Sequence, residues 1–417
     1  MRLLHTSDWH LGQTLHSFER SYEHQCFLDW LLDTLLEQEI EGLLIAGDIF
    51  DNANPSAASQ KQFYRFLQQA RTRVPHLNIV VIAGNHDSAG RLEAVAPLLA
   101  AMETTVSGHI VRKDCGDVDL EKLVVPMKNR QGEIAVWILA IPFLRPGDVP
   151  GVETDGDAYA EGIALLYRQA ADWAKARRQP GQAIVAMGHC HMVGGVVSAE
   201  SERRIVIGGA EALSASLFDP AIAYAALGHL HLAQRVGKQA HLRYSGSPVP
   251  LSFAEIDYRH QVLCVELEGE LLQTVVEITV PRAVDLLRVP KQAAPVEEVL
   301  KLLENLDYPP SSDVQTHPYL EVRVRLDRPE PGLRARVEAA LEGKSLRLAR
   351  IETRLCETKA ENAAAMSLED LNRLRPDDIF KRLYESRYGV EAPAAQLAAF
   401  DELLLESAFT GMAKGQP

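Results

Sequence analysis

Cysteine is scarce in this 417-residue chain: Cys26, Cys115, Cys190, Cys264 and Cys356 are odd in number, far apart and never in C-x-x-C spacing. That pattern excludes a disulfide framework and a thiolate zinc site, and reduced thiols are expected. Long apolar runs are also missing. No stretch approaches the roughly 20 residues of a membrane-spanning helix, and Met1 to Thr6 lacks the apolar region of a signal peptide. A cytoplasmic location without a membrane partner is therefore expected. Positive charge is in deficit, with 43 Lys and Arg against 57 Asp and Glu, for a formal net charge of -14. Such a balance disfavours a surface that binds polyanions everywhere, so any nucleic-acid contact must be local or shared with a partner. Bound divalent cations would offset part of the negative charge locally. There is no internal repeat or low-complexity tract.

What the chain does contain is five short polar blocks, each following an apolar run. The blocks are Asp8-Trp9-His10, Gly47-Asp48-Ile49-Phe50-Asp51, Gly84-Asn85-His86-Asp87, Gly188-His189 and Gly228-His229-Leu230-His231. The runs before them read as buried strands, so carboxylate, amide and imidazole recur where a strand gives way to a loop. Open α/β sheets collect ligands there. Between the first two blocks, Phe27, Trp30, Leu31, Thr34 and Leu35 fall at helical spacing, and the next crossover repeats the pattern with Phe63, Phe66, Leu67 and Ala70. Strand and helix alternate to about residue 230. From Leu242 to Val280 the pattern turns to antiparallel strands that complete a sandwich-like α/β domain.

Length alone predicts more than one domain. Pro281 and the Pro290 to Pro295 stretch mark the change. The segments 285–289, 296–306, 319–326, 332–341 and 345–355 read as strand, helix, strand, helix, strand, a small α+β domain. Over 319–355 nine Lys and Arg face six Asp and Glu, a local +3 that suits either a solvated face or a polyanion surface. Beyond residue 361 two amphipathic helices are expected, Leu368 to Tyr388 and Ala394 to Ser407. They would pack on this chain or dock on a partner's helices.

Two divalent ions a few ångströms apart need a bridging carboxylate and neutral or anionic ligands on each side. Asp8, His10 and His231 can serve one ion and Asn85, His189 and His229 the other, with Asp48 as the bridge. Oxygen and imidazole without thiolate favour Mn, Fe or Zn. Such a site hydrolyses phosphoesters. His86, beside a ligand, is the candidate general acid at the leaving oxygen, and Asp51 is expected to hold His86 and keep it protonated. His5, His16, His24 and His191 are read as surface or satisfied core imidazoles, and Cys190 as a packed residue.

The series D-x-H, G-D-x-x-D, G-N-H-D, G-H and G-H-x-H resembles the calcineurin-like metallophosphoesterase superfamily. Longer stretches, from His5-Thr6-Ser7-Asp8-Trp9-His10-Leu11-Gly12 to Tyr244-Ser245-Gly246-Ser247-Pro248, resemble its bacterial SbcD family of nuclease subunits. The resemblance implies a four-layer metallophosphoesterase sandwich over 1–281, a DNA-capping α+β domain over 282–356, and a helical partner-binding tail over 361–417. It also implies Mn as the usual activator and His86 as the catalytic histidine. The implied partners are DNA, a second copy of the chain as a homodimer, and an SbcC-type coiled-coil ATPase in a heterotetramer, in a cytoplasmic, nucleoid-associated setting. The activity would be double-strand exonuclease and single-strand or hairpin endonuclease, in DNA repair and recombination. The metal ligands alone equally suit a phosphomonoesterase or cyclic-nucleotide phosphodiesterase on the same fold. A non-catalytic scaffold is a third reading, against which the complete ligand set and His86 both argue.

Overall fold

The computed structural model describes residues 1–198, 212–355, 376–394 and 396–400. The chain divides into two compact units, Met1–Leu286 and Leu287–Pro417. The first opens with β1 (Arg2–Thr6), the short strands β2 (Thr14–Leu15) and β3 (Phe18–Glu19), α1 (Ser21–Glu37) and β4 (Gly42–Ala46). Next come α2 (Ala57–Arg73), β5 (Asn78–Ile82), α3 (Ala89–Glu93), α4 (Ala96–Ala100) and β6 (Thr104–Ser107). The second half holds α5 (Leu120–Leu123), β7 (Val124–Lys128), β8 (Ile134–Ala140), α6 (Ala158–Lys175), β9 (Ala183–His189) and β10 (Ile222–Gly228). It ends with β11 (Gln234–Arg235), β12 (Leu242–Tyr244), β13 (Gln261–Glu268) and β14 (Leu271–Thr279).

These strands form two six-stranded sheets, ordered β14-β13-β1-β4-β5-β6 and β11-β12-β10-β9-β8-β7. In the first, β1, β4, β5 and β6 run parallel while β13 returns antiparallel beside β1. In the second, β8, β9, β10 and β12 run parallel, with antiparallel β7 and β11 at the edges. The near-continuous apolar runs follow from burial on both faces. One face of each sheet meets the other sheet through Leu3, Leu44, Val80, Ile138, Val185 and Tyr224. The opposite faces are covered by helices, α1 and α2 on one sheet and α6 on the other. The outcome is a four-layer α/β sandwich. Phe27, Leu31 and Leu35 of α1 and Phe63, Phe66, Leu67 and Ala70 of α2 are buried as their spacing predicts. Ser56 caps α2 by accepting from the Ser59 amide.

The second unit begins with β15 (Leu286–Pro295) and α7 (Val296–Glu304). It continues with β16 (Tyr319–Leu326), α8 (Leu333–Ala340), β17 (Arg347–Leu355) and α9 (Pro376–Tyr388). β15, β16 and β17 make a three-stranded sheet in that order, its apolar face packed against α7 and α8. Alternation in β16 places Leu320, Val322 and Val324 inside. The other face carries the excess of arginine, and much of that charge is neutralised in place. Buried Glu321 lies 2.5 Å from Arg288, 3.0 Å from Arg323 and 3.8 Å from Arg350. Glu352 meets Arg323 and Arg354, and Arg336 meets Glu297 and Glu330. In the tail, the Phe380 ring stacks on Phe400 with centroids 4.3 Å apart. The expected positions 361–375 and 401–417 lie outside the described residues. Among the described residues no helix is long and apolar enough to cross a membrane.

A candidate dinuclear metal centre

All five polar blocks arrive at one place, the carboxyl ends of β1, β4, β5, β9 and β10 where the two sheets face each other. Close approach there depends on glycine. A Cβ on Gly228 would lie 1.9 Å from the Ala46 carbonyl oxygen, and one on Gly47, at φ +89°, would lie 2.3 Å from His189 Nδ1. Four of the polar residues have left-handed backbones: Asp8 (φ 55°), His10 (46°), Asp48 (49°) and His229 (104°). Such conformations cost about 1–3 kcal/mol each outside glycine and persist where surrounding structure enforces them. Trp9 supplies part of that enforcement. Its fully buried indole donates to Thr6 Oγ1 at 2.9 Å and meets Phe27, Phe63 and Phe66 edge to face, fixing the loop that carries Asp8 and His10 onto α1 and α2.

Asp48 occupies the middle. Its Oδ1 accepts from the His86 amide at 2.8 Å, while Oδ2 lies 3.4 Å from His189 Nε2 and 3.6 Å from His10 Nε2. Asn85 Oδ1 faces His189 Nε2 at 2.9 Å and His229 Nδ1 at 3.2 Å. Donor atoms of Asp8, His10 and His231 fall within 4.8 Å of one another, as do those of Asp8, Asp48 and His189. A third such group is His10, Asp48 and His86. The His189 ring is fixed from behind by Nδ1, which donates to the Ala46 carbonyl at 2.9 Å. Its Nε2 therefore points between a carboxylate and an amide oxygen. Burial pulls the His189 imidazole down, but the Asp48 carboxylate outweighs that and pushes it up to about 9. Burial acts to raise the Asp48 carboxyl, yet His189 and His10 hold it below the usual range. Burial raises Asp8 and, with His189 alongside, pushes His229 down to about 3.

The residues present fit two divalent ions. Both ring nitrogens of buried His10 lack a hydrogen-bond partner; Nδ1 has Asp51 Oδ1 at 3.3 Å and Nε2 has Asp48 Oδ2 at 3.6 Å. An imidazole held between two carboxylates without a hydrogen bond to either is the arrangement of a ligand. The oxygen and imidazole donors, buried and around a central carboxylate, are those a pair of first-row divalent cations takes.

The side chain of Asp51 is placed differently from the sequence-based expectation. His86 Nδ1 lies 2.7 Å from the main-chain carbonyl of Asp51, so the carbonyl receives the ring, and the carboxylate is turned toward His10. The backbone after Asp48, not the aspartate charge, aims His86. Two contributors escaped the sequence reading. Asp87, two residues past Asn85, is buried and accepts the amides of Ile49, Phe50 and Gly84 at 3.1, 3.0 and 2.9 Å, tying together the loops that carry Asp48 and Asn85. Its place in the G-N-H-D block was the available signal. Glu255, fully buried, meets His231 Nδ1 at 2.9 Å, and no spacing in the sequence links the two. His5 bonds Tyr224 and the Leu227 carbonyl as a satisfied core imidazole. Burial pushes the Cys190 thiol up to about 12, which suits a packed, unreactive residue.

Comparison with known proteins agrees with this geometry. Residues 1–233 match the family model described as calcineurin-like phosphoesterase. Residues 282–388 match one described as the type 5 capsule protein repressor C-terminal domain, designated SbcD_C. The chain is 40% identical over 387 residues to the SbcD polypeptide of the SbcCD nuclease from Rhodobacter capsulatus, covering 91% of this chain and 93% of that one. It is 31% identical over 392 residues to its namesake from Escherichia coli K12, covering 92% of each. With the namesake from Bacillus subtilis it shares 35% identity over 269 residues, 64% of this chain and 66% of that one.

Proposed function

Because the chain belongs to the calcineurin-like phosphoesterases, and among them to the SbcD nuclease subunits, we propose that it hydrolyses DNA phosphodiesters at the centre around Asp48. The observation that carries this reading is the convergence of seven donors, from strand ends of both sheets, on one central carboxylate. Asp8, His10 and His231 hold one ion, Asn85, His189 and His229 the other, and Asp48 both. When bound, such ions supply a nucleophile from water at neutral pH and neutralise the phosphoryl oxygens. Mn is the activator, in keeping with the mixed oxygen and imidazole set.

The chain's own residues do the rest. The Asp51 carbonyl takes the Nδ1 proton of His86, so the proton offered to the leaving oxygen is the one on Nε2. The bond from the His86 amide to Asp48 keeps that imidazole in register with the bridging carboxylate. Asp51 supports His10, and Asp87 fixes the distance between the two ligand loops.

The relatives are named as one subunit of a two-subunit nuclease, which supports an SbcC-type coiled-coil ATPase as partner. Residues 282–356 would cap the DNA and 361–417 would bind the ATPase. The aromatic side chains of α9, Phe380, Tyr384 and Tyr388, suit packing against a partner helix. Neutralised arginines in the second unit suit a DNA grip shared with that partner. The assembly is a cytoplasmic, nucleoid-associated heterotetramer built on a homodimer of this chain.

The test is hydrolysis by the full chain with Mn, with and without the ATPase and ATP, on an end-labelled linear duplex, a DNA hairpin and an aryl phosphate. Cleavage of both DNAs is expected. Hydrolysis of the aryl phosphate alone would replace the nuclease by a small-substrate phosphoesterase. No hydrolysis of any substrate, with ions bound and the ATPase present, would leave a scaffold.

A further inference from the structure

The imidazoles of the centre are held from behind by two kinds of partner. His189 Nδ1 faces the neutral Ala46 carbonyl, and His229 Nδ1 faces the neutral amide oxygen of Asn85. His10 Nδ1 has the Asp51 carboxylate at 3.3 Å, and His231 Nδ1 has the Glu255 carboxylate at 2.9 Å. One half of the centre thus has two anions behind its histidines and the other half has none among these contacts.

Glu255 is the more firmly built of the two. It ends a single turn, Phe253–Glu255, and its side chain is fully buried. The carboxylate also accepts from the Leu251 amide at 2.8 Å. The loop it reads is pinned in turn: Gln13 Nε2 donates to the Leu251 carbonyl at 3.0 Å, and buried Arg20, paired with Glu23, donates to the Pro250 carbonyl. A carboxylate that is desolvated, hydrogen-bonded and immobile holds the Nδ1–H tautomer of His231. Nε2 is then the atom presented toward Asp8 and His10, and its basicity as a ligand is raised.

We infer that Glu255 is a positioning residue that, with Asp51, makes the Asp8–His10–His231 half the tighter of two ion sites, leaving the Asn85–His189–His229 half to exchange more readily. This rests on the two-ion reading above and adds an order of affinity to it.

Calorimetric titration of the metal-stripped full chain with Mn tests it. Wild type should bind two ions in separable steps. Glu255→Gln, which keeps size and removes charge, should weaken the tighter step by roughly 10–100-fold and move the weaker step less than about twofold. In a His231→Gln background the same change should add less than about twofold, because its effect passes through that imidazole. Two unchanged steps would overturn the inference. Equal weakening of both steps with a lowered melting temperature would also overturn it, since that marks general loosening. Failure of wild type to bind Mn would instead overturn the two-ion reading itself, so the two failures are told apart by the wild-type titration.

Discussion

Replacing Gly228 by alanine tests how tightly the two sheets converge at the centre. The backbone of Gly228 is not left-handed, so alanine brings no conformational penalty there and should gain about 0.4–1 kcal/mol from a less free unfolded chain. Against this stands one methyl placed 1.9 Å from the Ala46 carbonyl oxygen, where real Cβ atoms essentially never come closer than 3.0 Å. The strand ends must separate by at least 1.1 Å, the difference of those two distances, and both partners are backbone with little freedom to yield. Overpacking of this kind costs about 1–3 kcal/mol. The hydrogen bond from His189 Nδ1 to the same carbonyl adds about 0.5–1.5 kcal/mol when lost. Sterics therefore win, with a net loss of about 2–3 kcal/mol. For a domain of this size that is a fall in melting temperature of about 4–12 °C. Activity should fall further than stability, since a displacement near 1 Å costs about 100-fold in a pre-aligned site. Scanning calorimetry and Mn-dependent cleavage read the two effects, with Gly147→Ala as the control because its Cβ meets nothing within 4 Å. A Gly228→Ala protein that melts and cleaves like Gly147→Ala would refute the close approach of β4 and β10.

Asp51→Asn should release Mn from the centre, because the carboxylate lies against His10; a variant with full metal content and lowered turnover would return Asp51 to the role of holding His86. His24 is fully buried with neither ring nitrogen hydrogen-bonded, and burial pushes it down to about 3. As pH falls below about 6.5 the unfolded chain takes up this proton and the folded chain does not, so stability is lost from there down toward pH 3, by about 2 kcal/mol at pH 5. His24→Leu should flatten that slope in the metal-free protein; an unchanged dependence of melting temperature on pH between 5 and 8 would count against it. Finally, His86→Gln should retain two bound ions and lose about 100-fold to 10,000-fold in cleavage rate; a variant as active as wild type would remove His86 from the proton transfer.

The ligands were legible because each sits beside its own buried strand, where a local apolar run followed by Asp, Asn or His carries the whole signal. The α+β order of the second unit was legible for the same reason, with β16 alternating and α7 and α8 periodic. What the chain did not disclose locally is whatever depends on how distant loops meet. The antiparallel return of β13 beside β1 brings Glu255 to His231, and neither residue's neighbours announce the other. Asp51 was correctly placed at the centre, but its side chain and its carbonyl point to different imidazoles, and the left-handed turn at Asp48 decides which faces which. The basic excess over 319–355 was real in sequence, yet Glu321 and Glu352 sit among those arginines in a register that composition does not reveal.

The central claim is that seven side chains hold two ions across Asp48. Anomalous scattering from crystals equilibrated with Mn tests it most directly. Two peaks about 3.5–4 Å apart are predicted, one against Asp8, His10 and His231, the other against Asn85, His189 and His229, with Asp48 between them and His86 bound to neither. A single peak, or a pair that takes His86 as a ligand in place of one of the seven, would contradict it.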